Sequence, residues 1–153
     1  MLVVARYTDG RVVKGWTTDF HPELESFHVQ ESPDVSPERV PVNGLKAVFF
    51  VRSLGGDPGH RDHREFPSEV GVRRKLWLEF NDGEKMAAWP VSITLGSGGF
   101  YVLPTDRDSN LEKAYVFRKA LRKILEGKEA EYAAASEAKK SRSDTLTRMV
   151  GVG

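Results

Sequence analysis

Leu2-Val3-Val4-Ala5-Arg6-Tyr7-Thr8-Asp9-Gly10-Arg11-Val12-Val13-Lys14-Gly15-Trp16 reads as a strand, a tight turn and a second strand. Asp-Gly between two apolar or alternating runs is a strong hairpin signal. The turn needs positive φ, which glycine adopts without a Cβ penalty and aspartate tolerates better than most residues. The same arrangement returns where Leu76 to Phe80 runs into Asn81-Asp82-Gly83 and continues from Glu84 to Ile93. At an offset of 73 positions Asp9-Gly10 falls on Asp82-Gly83, Trp16 on Trp89, Phe27 on Phe100 and Val29 on Val102. Self-similarity at a fixed offset is the mark of a duplicated structural unit. Past residue 102 the second copy is shorter by six residues, which sets Lys46–Phe50 against Lys113–Phe117.

Working outward, polar bends at His21 to Ser26 and Thr94 to Gly98 precede third strands that begin at Phe27 and Gly99. The first copy closes with Val40-Pro41-Val42, a turn at Asn43-Gly44 and the run Leu45 to Val51, whose unbroken apolar character implies burial on both faces. Short strands and tight turns without helical periodicity favour a small barrel or sandwich. The expected fold is therefore mainly β: two tandem small β-barrel-like (SH3/Sm-like) pseudo-repeats with a C-terminal α-helix. The units span residues 1–52 and 73–117, joined by a loop at 53–72 that contains Gly55-Gly56-Asp57-Pro58-Gly59, and residues 118–153 form the helix and tail. A single closed sheet shared by both units, with residues 53–72 as a long surface loop within it, is the alternative. Asp9, Gly10, Asp82 and Gly83 are the expected structural turns. Trp16 with Phe27, and Trp89 with Phe100, are the expected structural core of the two units.

From Phe117 the period changes. Phe117, Leu121, Ile124 and Leu125 recur at helical spacing with Arg118, Lys119, Arg122 and Lys123 between them, which predicts a short amphipathic helix ended by Gly127. Lys128 to Lys140 is alanine-rich with Tyr132 as its one large apolar residue, so it has helix propensity but little to bury.

Residues 1–117 carry 14 Lys/Arg against 17 Asp/Glu, whereas residues 118–153 carry 9 against 5, so the tail is the basic part. The chain has no cysteine, which excludes disulfides, thiolate metal sites and cysteine nucleophiles and favours a reducing cytoplasm. No apolar run approaches the ~20 residues of a bilayer crossing, and the N-terminus lacks the pattern of a signal peptide. A cytoplasmic protein without membrane insertion is expected.

Leu45-Lys46-Ala47-Val48-Phe49-Phe50-Val51-Arg52, then Gly56-Asp57-Pro58, Phe80-x-Asp82-Gly83-Glu84, Gly99-Phe100, Pro104, Asp106 and Ser109-Asn110 together resemble a family of bacterial domains of unknown function. The likeness covers about residues 2 to 118 and implies no activity. Ala88 stands where the first copy has Gly15, so the second copy is expected to bend differently there. The pattern around Tyr7-x-Asp9-Gly10-Arg11 also looks like the opening strands of Sm-like small barrels.

The chemical readings are weaker. His60 and His63 with Asp57 and Asp62 have donors for a divalent cation, but a glycine-rich loop does not fix their geometry, so no metal or other cofactor is expected. The glycine runs lack the Lys-Ser/Thr ending of a phosphate loop. Arg61-Asp62-His63-Arg64 and Ser97-Gly98-Gly99 resemble the cyclic-dinucleotide-binding PilZ barrel only faintly. No nucleophile motif is present and the carboxylates fall in turns and exposed strand positions, so an enzyme is not expected. The leading expectation is a non-enzymatic scaffold or adaptor, binding a protein partner or self-associating through barrel edges and the C-terminal helix. Nucleic acid is the second partner class. The contact residues in either case are Arg118, Lys119, Arg122, Lys123, Tyr132, Lys139, Lys140 and Arg142.

Overall fold

The computed structural model describes residues 1–56, 64–66, 74–92, 98–106 and 108–149. Ten strands run in order: β1 (Leu2–Tyr7), β2 (Val12–Trp16), β3 (Ser26–Val29), β4 (Glu38–Pro41), β5 (Leu45–Val51), β6 (Leu76–Phe80), β7 (Lys85–Ser92), β8 (Gly99–Pro104), β9 (Leu111–Phe117) and β10 (Leu121–Glu126). A 3-10 turn, Arg118–Ala120, separates β9 from β10, and one helix, α1 (Lys128–Met149), follows.

Eight strands form one antiparallel sheet in the order β10-β6-β7-β8-β9-β5-β1-β2, and β3 pairs with β4 in a second sheet. Two tandem barrels are not formed. The sheet is open, and it runs through both halves because β5 pairs with β9, with Ala47 opposite Val116 and Phe49 opposite Ala114. The segments that the offset aligned as equivalents, Lys46–Phe50 and Lys113–Phe117, are thus neighbours in one ladder. Each is an apolar strand seeking a partner edge, and each supplies the other's.

Both Asp-Gly turns form, with Gly10 at φ 95° and Gly83 at φ 93°. Asp9 accepts the Arg11 amide at 2.9 Å and Asp82 accepts the Glu84 amide at 3.0 Å, so each aspartate closes its own turn. Beyond the hairpins the halves diverge at the positions held by Gly15 and Ala88. A Cβ on Gly15 would lie 2.3 Å from the Gln30 carbonyl oxygen, so glycine lets β3 cross close to β2 through one bridge, Trp16 to Gln30. Ala88 instead sits between Leu76 and Pro104, and β7 pairs on with β8 through Trp89 and Pro90 before the register shifts between Pro90 and Ser92.

The sheet carries a core on each face. Val3, Ala5, Tyr7, Leu45, Val48 and Phe50 pack with Phe27, Val29 and Val40 of the β3–β4 hairpin. On the other face Ala47, Leu76, Leu78, Phe80, Ala88, Phe100, Val102, Ala114 and Val116 pack together with Ala120. The two tryptophans are not equivalent: Trp16 is 57% exposed, whereas Trp89 is 6% exposed with its ring 5.3 Å from Phe66. Trp16 belongs to no core, because the bridge that replaces a full ladder leaves its face of β2 uncovered.

The expected helix over Phe117, Leu121, Ile124 and Leu125 is a strand. A register shift between Leu121 and Lys123 turns Leu121 and Ile124 toward the same core, while Leu125 packs on the opposite side. Gly127, at φ 60°, begins the turn into α1 rather than ending a helix. Nor is the alanine-rich segment without a partner surface. Ala130 and Ala134 are buried against Trp77, itself 1% exposed, and Ala87. Small side chains let the helix axis approach the indole closely.

Lys46 ties the halves together a second time. The register shift between Arg6 and Tyr7 makes it the extra residue on β5. Only 5% exposed, it donates to Asp82 at 2.6 Å and to Glu84 in the β6–β7 turn, and it lies over the Phe80 ring at 4.5 Å. The Lys46 hydrogen bond holds the Asp82 carboxyl below its ordinary range.

Two outcomes follow from this packing. Ala134→Leu should lower stability by about 1–3 kcal/mol in urea denaturation, since the added carbons have no room above Trp77. The exposed Ala135→Leu should leave stability within about 0.5 kcal/mol. For the depressed Asp82, the contribution is fully present above the unfolded aspartate pKa of ~3.9 and is lost as pH falls through the lower folded value. Lys46→Met should cost about 1 kcal/mol at neutral pH and shrink the stability loss between pH ~4 and the acid limit. Wild-type and variant melting curves that stay parallel throughout acidification would contradict this assignment.

Candidate functional site

A cleft of about 860 Å³ opens between the Phe49 face of β1, β2 and β5, the loop after β5, the start of β7, the β8–β9 connection and the distal half of α1. Its volume lies in the range of small-molecule sites. Val4, Phe49, Val51, Met86 and Leu111 supply the apolar lining. Several residues singled out in the sequence meet here, among them Gly56, Glu84, Pro104, Asp106, Ser109 and Asn110.

The wall from Pro104 to Leu111 is built by side chains that satisfy backbone groups. Asp106 accepts the Asp108 amide at 2.9 Å, and the Ser109 hydroxyl accepts the Leu111 amide at 3.0 Å. Asn110 reaches across to the loop after β5, accepting the Ser53 amide at 3.0 Å and donating to the Ser53 carbonyl at 2.9 Å. This pairing fixes the loop against the start of β9, so one rim of the cleft is set by hydrogen bonds from a side chain to the backbone. Thr105, Asp106 and Ser109 are all buried.

The charges divide into two groups. Glu84 is bound by Lys46, and Glu137 of α1 is bound by Lys85 at 3.0 Å and faces Arg64 at 3.8 Å. Glu65 and Asp106 also have partners. Arg6 and Lys14, by contrast, make no ion pair among the described residues. The register Val4 to Lys14 and Arg6 to Val12 sets these two cations on one sheet face as diagonal neighbours. The cleft thus has engaged acids and two unengaged cations, a field that favours an anion.

Neither Arg6 nor Lys14 is marked by the sequence reading. The signal was present, because the Asp9-Gly10 turn fixes the hairpin register and hence the side shared by Arg6 and Lys14. The residues marked as partner contacts do not converge. Arg118 and Lys119 lie in the 3-10 turn, Arg122 and Lys123 on β10, and Tyr132, Lys139 and Lys140 along α1, with Arg142 farther on in the same helix. Arg122 is held by Glu79 at 3.3 Å and Tyr132 is 77% exposed. A basic helical stripe for nucleic acid is therefore not formed, since its first half is strand. The adaptor reading loses its barrel edges with the barrels. Among the described residues no nucleotide site is evident to support the PilZ reading, and its residues 61–63 and 97, like the candidate metal ligands His60 and His63, lie outside them. Among the described residues no group of three His, Cys, Asp or Glu could hold a metal ion, and no helix is long and apolar enough to cross a membrane. His28 is an exposed strand residue bonded to Asp19 at 2.8 Å, and the amide and ring of His28 hold the Asp19 carboxyl below its usual range.

Comparison with curated proteins and with solved structures gives no match. The model of DUF6982, a family of unknown function, matches residues 2–127, from the first residue of β1 to the glycine after β10, and the chain therefore belongs to that family.

Proposed function

We propose that the domain is a binding module rather than an enzyme, and that its cleft takes a small molecule bearing a carboxylate. The supporting observation is the pair Arg6 and Lys14, adjacent on β1 and β2 at the cleft wall and without ion pairs among the described residues. An arginine fork beside a lysine ammonium matches a carboxylate's two oxygens, and charge-assisted hydrogen bonds are the stronger kind. Val4, Phe49 and Val51 beneath them give a short apolar backbone somewhere to lie. A fixed rim at Ser53 and Asn110 keeps the cleft formed before the ligand arrives, which lowers the ordering cost of binding.

Titration calorimetry with succinate at low ionic strength tests the reading. Saturable binding should weaken about tenfold or more in the Arg6→Gln/Lys14→Gln double variant, the loss expected for charged hydrogen bonds. Added salt should weaken it further, since both cations are exposed. Binding that the double variant leaves unchanged would rule the assignment out.

A further inference from the structure

Of the three tryptophans, Trp16 alone stands in the open, 57% exposed against 1% for Trp77 and 6% for Trp89. Its indole makes no ring or cation–π contact among the described residues. Its backbone is nevertheless held on both sides. Trp16 and Gln30 exchange amide-to-carbonyl hydrogen bonds at 2.8 Å each way, and the next residue, Thr17, donates its amide to the Met1 carbonyl at 2.9 Å. An unengaged indole on a held backbone offers a flat ring a stacking surface that needs no ordering. The hairpin register sets Trp16 on the face that carries Arg6 and Lys14, in three successive rows: Arg6 with Val12, Lys14 with Val4, and Trp16 with Leu2. Each row lies about 7 Å from the next. Arg6, Val4 and Lys14 line the cleft, and Trp16 comes next past Lys14.

We infer that Trp16 is a specificity-determining residue of the carboxylate site, and that the ligand class is an aromatic carboxylate whose acid group meets Arg6 and Lys14 and whose ring stacks on the indole. The inference rests on the carboxylate reading above and adds the ring. A carboxylate held between the Arg6 and Lys14 rows leaves the rest of the molecule to run over Val4 and Leu2, with Trp16 one row beyond Lys14. A ring one methylene from its acid group spans that single row. An aliphatic acid would find the same apolar floor and no stacking partner. A second copy of the chain is a poor occupant of this face, because facing copies would bring the cations of one against those of the other.

Calorimetry on the full chain with phenylacetate and with acetate separates the ring from the acid group. Phenylacetate should bind about tenfold more tightly than acetate, and Trp16→Leu should remove that gain while leaving acetate nearly unchanged. In the wild-type chain phenylacetate, and not acetate, should also shield fluorescence from acrylamide quenching, because Trp16 is the exposed indole. Circular dichroism verifies that Trp16→Leu keeps the fold. Equal binding of the two acids, lost in Arg6→Gln/Lys14→Gln, would overturn the aromatic class and leave the carboxylate reading standing. A phenylacetate gain that survives Trp16→Leu, or that leaves quenching unchanged, would place the ring elsewhere and overturn the role of Trp16. Phenylacetate binding that needs Trp16 but survives Arg6→Gln/Lys14→Gln would remove the carboxylate reading and this ligand class with it. Failure of both acids to bind would overturn both.

Discussion

Everything in this fold is arranged around the need of one strand to be covered on all sides. β5 has β1 on one edge and β9 on the other, Leu45, Val48 and Phe50 in one core, and Ala47 and Phe49 turned to the other. A strand of seven residues with only Lys46 charged cannot face water on either side at an acceptable free energy, because each buried large apolar side chain is worth roughly 1.5–3 kcal/mol. The two halves meet there for that reason. Separate open sheets would have left one edge of β5 and one edge of β9 unpaired, with apolar side chains beside them.

The sequence made the local chemistry legible and the long-range pairing much less so. Asp9-Gly10 and Asp82-Gly83 could be read because positive φ is a property of two residues. The burial of Leu45–Val51 could be read because it needs only the absence of polar side chains. Strand choice is different: nothing in Lys46–Phe50 says that its partner is Lys113–Phe117 rather than a strand of its own unit. β10 was misread for a specific reason. Its register shift places Leu121 and Ile124 on one side at a separation of three, which mimics a helical stripe. The alanines of α1 were discounted for bulk, yet against the flat indole of Trp77 a small residue permits the closest approach. Legibility at the cleft was similar. Gly56, Glu84, Asp106 and Asn110 stood out in the sequence, while Arg6, Lys14, Lys85 and Glu137 did not, because their meaning lies in pairing across strands and helix.

Polar residues here do two kinds of work that look alike in sequence. Lys46 and Asn110 satisfy groups of the protein itself, bracing turn to strand and loop to strand. Arg6 and Lys14 make no ion pair among the described residues. Charged residues of the first kind fix the cleft's shape and those of the second give it a sign. The appended helix links the two, because Glu137 answers Lys85 at the cleft while Ala130 and Ala134 complete the packing on Trp77.

The β5–β9 ladder also has a consequence for the order in which the chain is made. β5 ends at Val51 and its second partner ends at Phe117. At ~5–20 residues per second, a ribosome exposes β5 for several seconds with β1 on one side and nothing on the other. For that interval the nascent chain carries an apolar edge in search of a neighbour, flanked by Lys46 at its head and Arg52 just beyond its end. Charges at the margins of such a segment disfavour pairing between nascent chains on adjacent ribosomes. The lysine that later reaches Asp82 thus serves first as a gatekeeper, before its partner has been synthesised.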